Sequence, residues 1–163
     1  MIEVYTDGGC SGNPGPGGWA YVIINNAGSS GDASLPGDAS LPGDAALLED
    51  WGAEESTTNN RMELQAVIAA LEKVSDTVTA PGAITVYTDS QYVQKGITVW
   101  IKDWKNRGWK TSAKKPVKNQ DLWQRLDALC EGQPITWAWV KGHAGNKYNE
   151  RCDFLTQKAI ASL

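Results

Sequence analysis

Apolar and polar positions alternate in short runs over the first quarter of the chain and take helical spacing later. Ile2 to Thr6 and Trp19 to Ile24 are brief runs rich in β-branched and aromatic residues, the second closed by NNAG, and a third strand is expected to return near Ala45 to Ala53. In STTNNRMELQAVIAALEKVSD, a helix start at Ser56 to Asn60 precedes apolar residues at Met62, Ala66, Val67, Ala70, Leu71 and Val74. Ile84 to Thr88 reads as another strand. Helical segments are expected over Gln91 to Gly96, Val99 to Arg107 and Gln120 to Cys130, with Pro116 as an interruption, followed by a strand at Ile135 to Val140 and a helix at Tyr148 to Ser162. A three-strand meander followed by strands separated by helices predicts an α/β fold, a mixed five-stranded sheet flanked by helices.

A chain of 163 residues, 41% hydrophobic, is long enough for one well-buried core and short for two, so a single domain over 1–163 is expected. One stretch departs from the pattern. GDASLPGDASLPGDAALL repeats every six residues without a continuous apolar face, and reads as an exposed low-complexity hairpin insertion at about 28–48. No stretch approaches an apolar membrane span, and MIEVYTD lacks the basic start and apolar run of a secretory signal, so a soluble cytoplasmic protein with no membrane partner is expected. Cys10, Cys130 and Cys152 form an odd set without a C-x-x-C pair, and His143 is the single histidine, so neither disulfides nor structural zinc is expected.

A net charge of -4 argues against a nucleic-acid partner only if the charge is evenly spread. It is not. Between Lys95 and Lys118 eight cations face Asp103 alone, a local balance of +7 that leaves the rest of the chain at -11. Trp100, Trp104 and Trp109 interleave with Lys102, Lys105, Lys114 and Lys115 in this segment. Two readings stand: a solvated helix with its tryptophans packed inward, or a basic aromatic surface that follows a phosphate backbone.

VYTD occurs twice, ending at Asp7 and at Asp89. If both runs are neighbouring parallel strands, their aspartates emerge at the same carboxyl edge of the sheet, where open α/β folds place ligands. Glu63 shares a helix face with Ala66, Val67, Ala70, Leu71 and Val74, the face that must pack on the sheet. A lone carboxylate is costly to bury unless it is paired or binds a metal. Near the end, Glu150 and Asp153 stand beside Cys152, Phe154 and Leu155. Converging acids without a basic partner have the character of a Mg²⁺ site, with Mn²⁺ as the alternative.

YTDGGCSGNPGPGGWA, TTNNRMELQA, TDSQYVQKGI, WKNRGWKTSAKKPVKNQDLW and VKGHAGNKYNERCD resemble, in order and spacing, ribonuclease H type 1, the bacterial ribonuclease HI group. The likeness spans nearly the whole chain except the hexapeptide insertion. It implies a ribonuclease-H-like fold and a monomeric endonuclease that cuts the RNA strand of an RNA/DNA hybrid by two-metal-ion catalysis. The family's metal-binding carboxylates fall on Asp7, Glu63, Asp89 and Asp153. The resemblance further implies proton transfer or product release by His143, with Glu150 as a helper. It places Cys10, Gly12, Asn13, Asn59 and Gln91 beside the RNA strand, where the 2′-hydroxyl is read. Thr58, Asn60 and Asn119 are placed on a DNA phosphate. The alternatives are a related nuclease with another substrate, a non-catalytic hybrid-binding module, which would be expected to lack one of the acids, and a partner-docking protein that uses the repeat.

Overall fold

The computed structural model describes residues 1–25, 46–78, 82–140 and 146–163. Most of the hexapeptide insertion, and His143, lie outside the described residues; Ala46 to Leu48, at the insertion's expected end, belong to a strand.

Five strands form one sheet in the order β3-β2-β1-β4-β5, with β1 (Ile2–Cys10) at its centre. β1 runs antiparallel to β2 (Gly15–Asn25), and β2 antiparallel to β3 (Ala46–Thr57). On its other side β1 is parallel to β4 (Ile84–Thr88), which is parallel to β5 (Ile135–Trp139). This is the mixed sheet predicted from the pattern. The antiparallel half needs only hairpins, whereas each parallel pair needs a crossover, supplied by α1 (Asn59–Thr77) and by the helices between β4 and β5.

Alternate residues of β2 enter opposite cores, which explains its unbroken apolar run. Tyr21 and Ile23 pack with Ile2, Val4, Val67, Leu71, Val86, Trp123 and Leu126 beneath α1 and α4 (Gln120–Cys130). Ala20, Val22 and Ile24 pack with Tyr5, Cys152 and Leu155 beneath α5 (Lys147–Ala161). A central strand with both faces covered shows no polar alternation.

The first three strands are longer than periodicity predicts. β1 continues through Gly8, Gly9 and Cys10, paired with Trp19, Gly18 and Gly17. Glycine contributes little to strand formation by itself, yet the ladder continues because the paired strand supplies the hydrogen bonds. β3 likewise extends to Thr57 rather than ending at Ala53. The two helical segments expected over 91–107 join into one path: α2 (Gln91–Lys95), a π-helical turn (Gly96–Trp100) and α3 (Ile101–Asn106). A β-carbon on Gly96 would overlap the ring of Trp123. The expanded turn therefore brings backbone directly onto the central tryptophan of α4, a close approach that only glycine permits.

Candidate active site

Asp7 does not end its strand, as the repeated VYTD suggests. It lies within β1 opposite Ala20. What ends near it is the ladder to β4, whose last pair is Tyr5 with Tyr87. β4 stops at Thr88 and turns: Thr88 Oγ1 accepts the Ser90 N–H at 3.0 Å, and Ser90 Oγ caps α2 by accepting the Val93 N–H at 3.1 Å. Asp89 is held between these two bonds, at the carboxyl edge expected for it.

Glu63 arrives from α1. Thr58 caps this helix, its Oγ1 accepting the Arg61 N–H at 3.3 Å. The first turns of α1 lie hard against β1 because residue 8 is glycine: a β-carbon there would stand 2.5 Å from the Met62 carbonyl oxygen and 2.6 Å from the Glu63 nitrogen. The glycine half of TDGG thus lets helix backbone touch strand backbone beside Asp7.

One carboxylate oxygen from each of Asp7, Glu63 and Asp89 lies within 4.8 Å of the others. Burial, followed by the charges of Asp7 and Asp89, pushes the Glu63 carboxyl well above the usual carboxylate range, while a hydrogen bond from the Gly8 backbone acts in the opposite direction. Glu63 Oε1 is buried without a hydrogen-bond partner. Such an oxygen is costly to leave unmatched, and its neighbours here are more acceptors. Three converging carboxyl groups, one of them with an unsatisfied buried oxygen, fit a divalent cation, which would neutralise their repulsion.

Asp153 is not within this group of three. It lies between two docking contacts of α5 on β1: the Cys152 thiol donates to the Tyr5 carbonyl at 3.3 Å, and Thr156 Oγ1 donates to the Asp7 carbonyl at 3.5 Å. Burial and the nearby charge of Asp7 push the Cys152 thiol far upward, so it stays un-ionised as a packing group. Glu150 is exposed in the first turn of α5.

Most of the other expected contacts gather along an adjoining edge. Cys10 Sγ is 3.3 Å from the carbonyl oxygens of Gly12, Gly15 and Thr57, tying the β1–β2 turn to the end of β3. Asn13 Oδ1 accepts the Asn59 N–H at 3.1 Å and joins the same turn to α1. Asn60 and Gln91 are exposed at the starts of α1 and α2. Gly12 has φ +80°, the left-handed conformation that its turn requires.

In the basic segment the three tryptophan rings are partly buried. Trp104 is 5.8 Å from Trp100 and 5.4 Å from the buried Trp123, centroid to centroid, and Trp104 and Trp109 both pack against the main core. Inward packing describes Trp104 and Trp109, while Trp100 meets the rings of Tyr92 and Trp104. Lys102, Lys105, Lys114 and Lys115 remain exposed, Lys105 with Asp127 at 3.2 Å. Arg107, Lys110, Thr111, Ser112 and Lys114 line an open depression of about 410 Å³ on this segment.

Arg61 has no place among the residues singled out from sequence. It bonds both carboxylate oxygens of Asp121 at 3.1 and 2.9 Å and Asn119 Oδ1 at 3.2 Å. One signal was available: a cation in the first turn of a helix opposes the helix dipole and needs a local reason.

The RNase H family model matches residues 1–161. Ribonuclease H of Treponema denticola is 48% identical over 172 aligned positions, covering 99% of this chain and 98% of its own. Ribonuclease H of Aromatoleum aromaticum is 50% identical over 163 positions, covering 100% of this chain and 92% of its own. Among solved structures, a type 1 RNase H with the type 2 active-site motif matches with a TM-score of 0.79 at 33% identity, over 99% of this chain and 72% of the other. An RNase H1 solved in complex with an RNA/DNA hybrid shares the fold, with a TM-score of 0.70 at 22% identity over 99% of this chain and 98% of its own. With its family model matched almost end to end and about half its residues shared with relatives covered over 92% or more of their length, the chain belongs to the RNase H family.

Proposed function

We propose that this protein is an endonuclease that hydrolyses the RNA strand of RNA/DNA hybrids, using Mg²⁺, or Mn²⁺ in its place, held by Asp7, Glu63, Asp89 and Asp153. The observation that carries the reading is the convergence of Asp7, Glu63 and Asp89 around a buried, unpartnered Glu63 oxygen. Divalent metal held by these carboxylates would supply an activated water and charge stabilisation for the leaving oxygen. Asp7, central among the acids on the rigid middle strand, holds its position through ladder bonds on β2 and the Thr156 contact. Asp153, brought beside β1 by α5, completes the ligand set. His143 transfers a proton or assists product release, with Glu150 helping.

Substrate choice is divided between the two strands of the hybrid. The Cys10–Asn13 turn, with Asn59 and Gln91, reads the 2′-hydroxyl that distinguishes RNA from DNA. Thr58, Asn60 and Asn119 hold a DNA phosphate, while Lys102, Lys105, Lys114 and Lys115 neutralise further phosphates. Trp100, Trp104 and Trp109 support that surface from beneath. The protein acts as a cytoplasmic monomer of one domain; among the described residues no helix is long and apolar enough to cross a membrane.

Cleavage of a labelled hybrid with and without Mg²⁺ tests the reading, with single-stranded RNA and duplex DNA as controls. Asp7→Asn should reduce turnover on the order of a thousandfold or more, since a carboxylate that would hold the metal is removed, and leave hybrid affinity largely intact. Undiminished turnover in the variant, or equal cleavage in chelator, would remove the metal assignment.

A further inference from the structure

We infer that Arg61 and Tyr92 are positioning residues that lock the side-chain amide of Asn119 in the one orientation that offers its N–H to a phosphate of the bound DNA strand. This inference rests on the proposed phosphate contact at Asn119 and adds what orients it.

Asn119 occupies the N-cap position of α4, where an asparagine ordinarily turns its oxygen onto the backbone N–H groups of the first turn. Here the side chain makes no cap bond. Its backbone is left-handed, φ 60°, a conformation asparagine tolerates better than most residues. The amide is engaged elsewhere at both ends. Arg61 Nη1 donates to Asn119 Oδ1 at 3.2 Å, and Asn119 Nδ2 donates to the Tyr92 hydroxyl oxygen at 3.0 Å.

The chemistry of the partners makes this arrangement directional. A guanidinium only donates, so the end of the amide that faces Arg61 must be the oxygen. A flipped amide would set NH₂ against a cation and forfeit that bond. Arg61 is itself fixed by its two bonds to Asp121. At the other end, the Tyr92 oxygen also accepts the indole N–H of Trp123 at 3.0 Å, and Trp123 is wholly buried. The clamp is therefore anchored in a helix pair on one side and in the core on the other. An amide nitrogen carries two hydrogens. Tyr92 takes one and leaves the second for a phosphate, on an amide whose oxygen is tied to α1 through Arg61. Forgoing the cap bond, which ordinarily stabilises a helix start, is explained by this use of the side chain.

The test measures steady-state kinetics for the hybrid in four variants, with thermal melting of each. Asn119→Ala should raise KM about tenfold, the value of one hydrogen bond to a charged group, with kcat nearly unchanged. Arg61→Leu should reproduce that rise, and Arg61→Leu combined with Asn119→Ala should be no worse than Asn119→Ala alone, since Arg61 acts through the amide. Asp121→Asn removes the ion pair that fixes Arg61 but keeps one oxygen acceptor for it; it should raise KM less than Arg61→Leu does and scarcely move the melting temperature, as expected for an exposed pair. Additive KM effects of Arg61→Leu and Asn119→Ala, or a KM unaltered by Arg61→Leu while Asn119→Ala raises it, would overturn the positioning role alone. No KM change in Asn119→Ala would overturn the phosphate contact itself, and the inference with it.

Discussion

The backbone nitrogen of Glu63 lies 2.6 Å from the place a β-carbon would take on Gly8. Helix and strand therefore meet at a point where no side chain fits, one residue after Asp7. This close approach converts two sequence-distant acids into neighbours, because α1 can near β1 only as far as residue 8 allows. Gly8→Ala should move the first turns of α1 outward and cost roughly 3 kcal/mol, the upper range for overpacking a rigid backbone contact. Cleavage should fall far more than the folded fraction does, since the carboxylate spacing opens. Chemical denaturation and turnover on the same preparation check this; an unperturbed variant would mean that the backbones relax without strain.

The electrostatic state of Glu63 predicts a pH dependence in metal-free protein. Its folded-state pKa is raised by burial and by Asp7 and Asp89, so the folded chain retains a proton that the unfolded chain has released. Stability from this group is fully present below the unfolded carboxylate pKa, and is lost as pH rises through the raised folded value. Melting in chelator from about pH 4 to 8, the range above an ordinary carboxylate pKa, should show a decline that Glu63→Gln flattens. At neutral pH the variant should melt higher than the parent in chelator and lose that advantage in Mg²⁺. An identical slope in both proteins would show that Glu63 is not the titrating group.

The exposed lysines of the basic segment should contribute binding rather than chemistry. Replacing Lys102, Lys105, Lys114 and Lys115 together with alanine should raise KM for the hybrid with little change in kcat, because phosphate interactions remote from the scissile bond are equal in ground and transition states. The slope of log affinity against log salt should shrink by about 0.9 for each phosphate no longer neutralised on duplex DNA, and somewhat less on a hybrid. Removal of the exposed Lys105–Asp127 pair should scarcely affect stability. A fall confined to kcat would place the substrate path elsewhere.

Lys114 has φ 65°, and its side chain is exposed. A left-handed conformation costs an ordinary residue about 1–2 kcal/mol, which glycine avoids at some cost in unfolded-state entropy. Lys114→Gly should therefore stabilise the protein by roughly 1 kcal/mol in thermal or denaturant unfolding, with a modest rise in KM from the missing cation. Trp109 has a similar φ of 66°, yet it packs against the core, so glycine there would forfeit more than it relieves. Destabilisation by Lys114→Gly would refute the strain argument.

Much of the architecture was legible in local pattern. Helical spacing around Glu63 and the paired VYTD runs identified three acids that the fold brings together, because burial on a packed face and the common register of two parallel runs are both properties of the chain's own periodicity. Helix α4 and strand β4 fall where the spacing of Gln120 to Cys130 and Ile84 to Thr88 places them.

Tertiary structure alone decided the rest. The glycine-rich half of β1 carries no strand signal, and its ladder exists because β2 is aligned beside it. The π-helical turn at Gly96 depends on Trp123, 27 residues along the chain. Tryptophans spaced four and five apart could face in or out until the buried Trp123 supplied an aromatic partner. The clamp on Asn119 joins α1, α2 and α4, and hydrogen-bond direction has no periodicity to read. Periodicity reports which side of an element is buried; what that side meets, and at what distance, is fixed only when separate elements pack together.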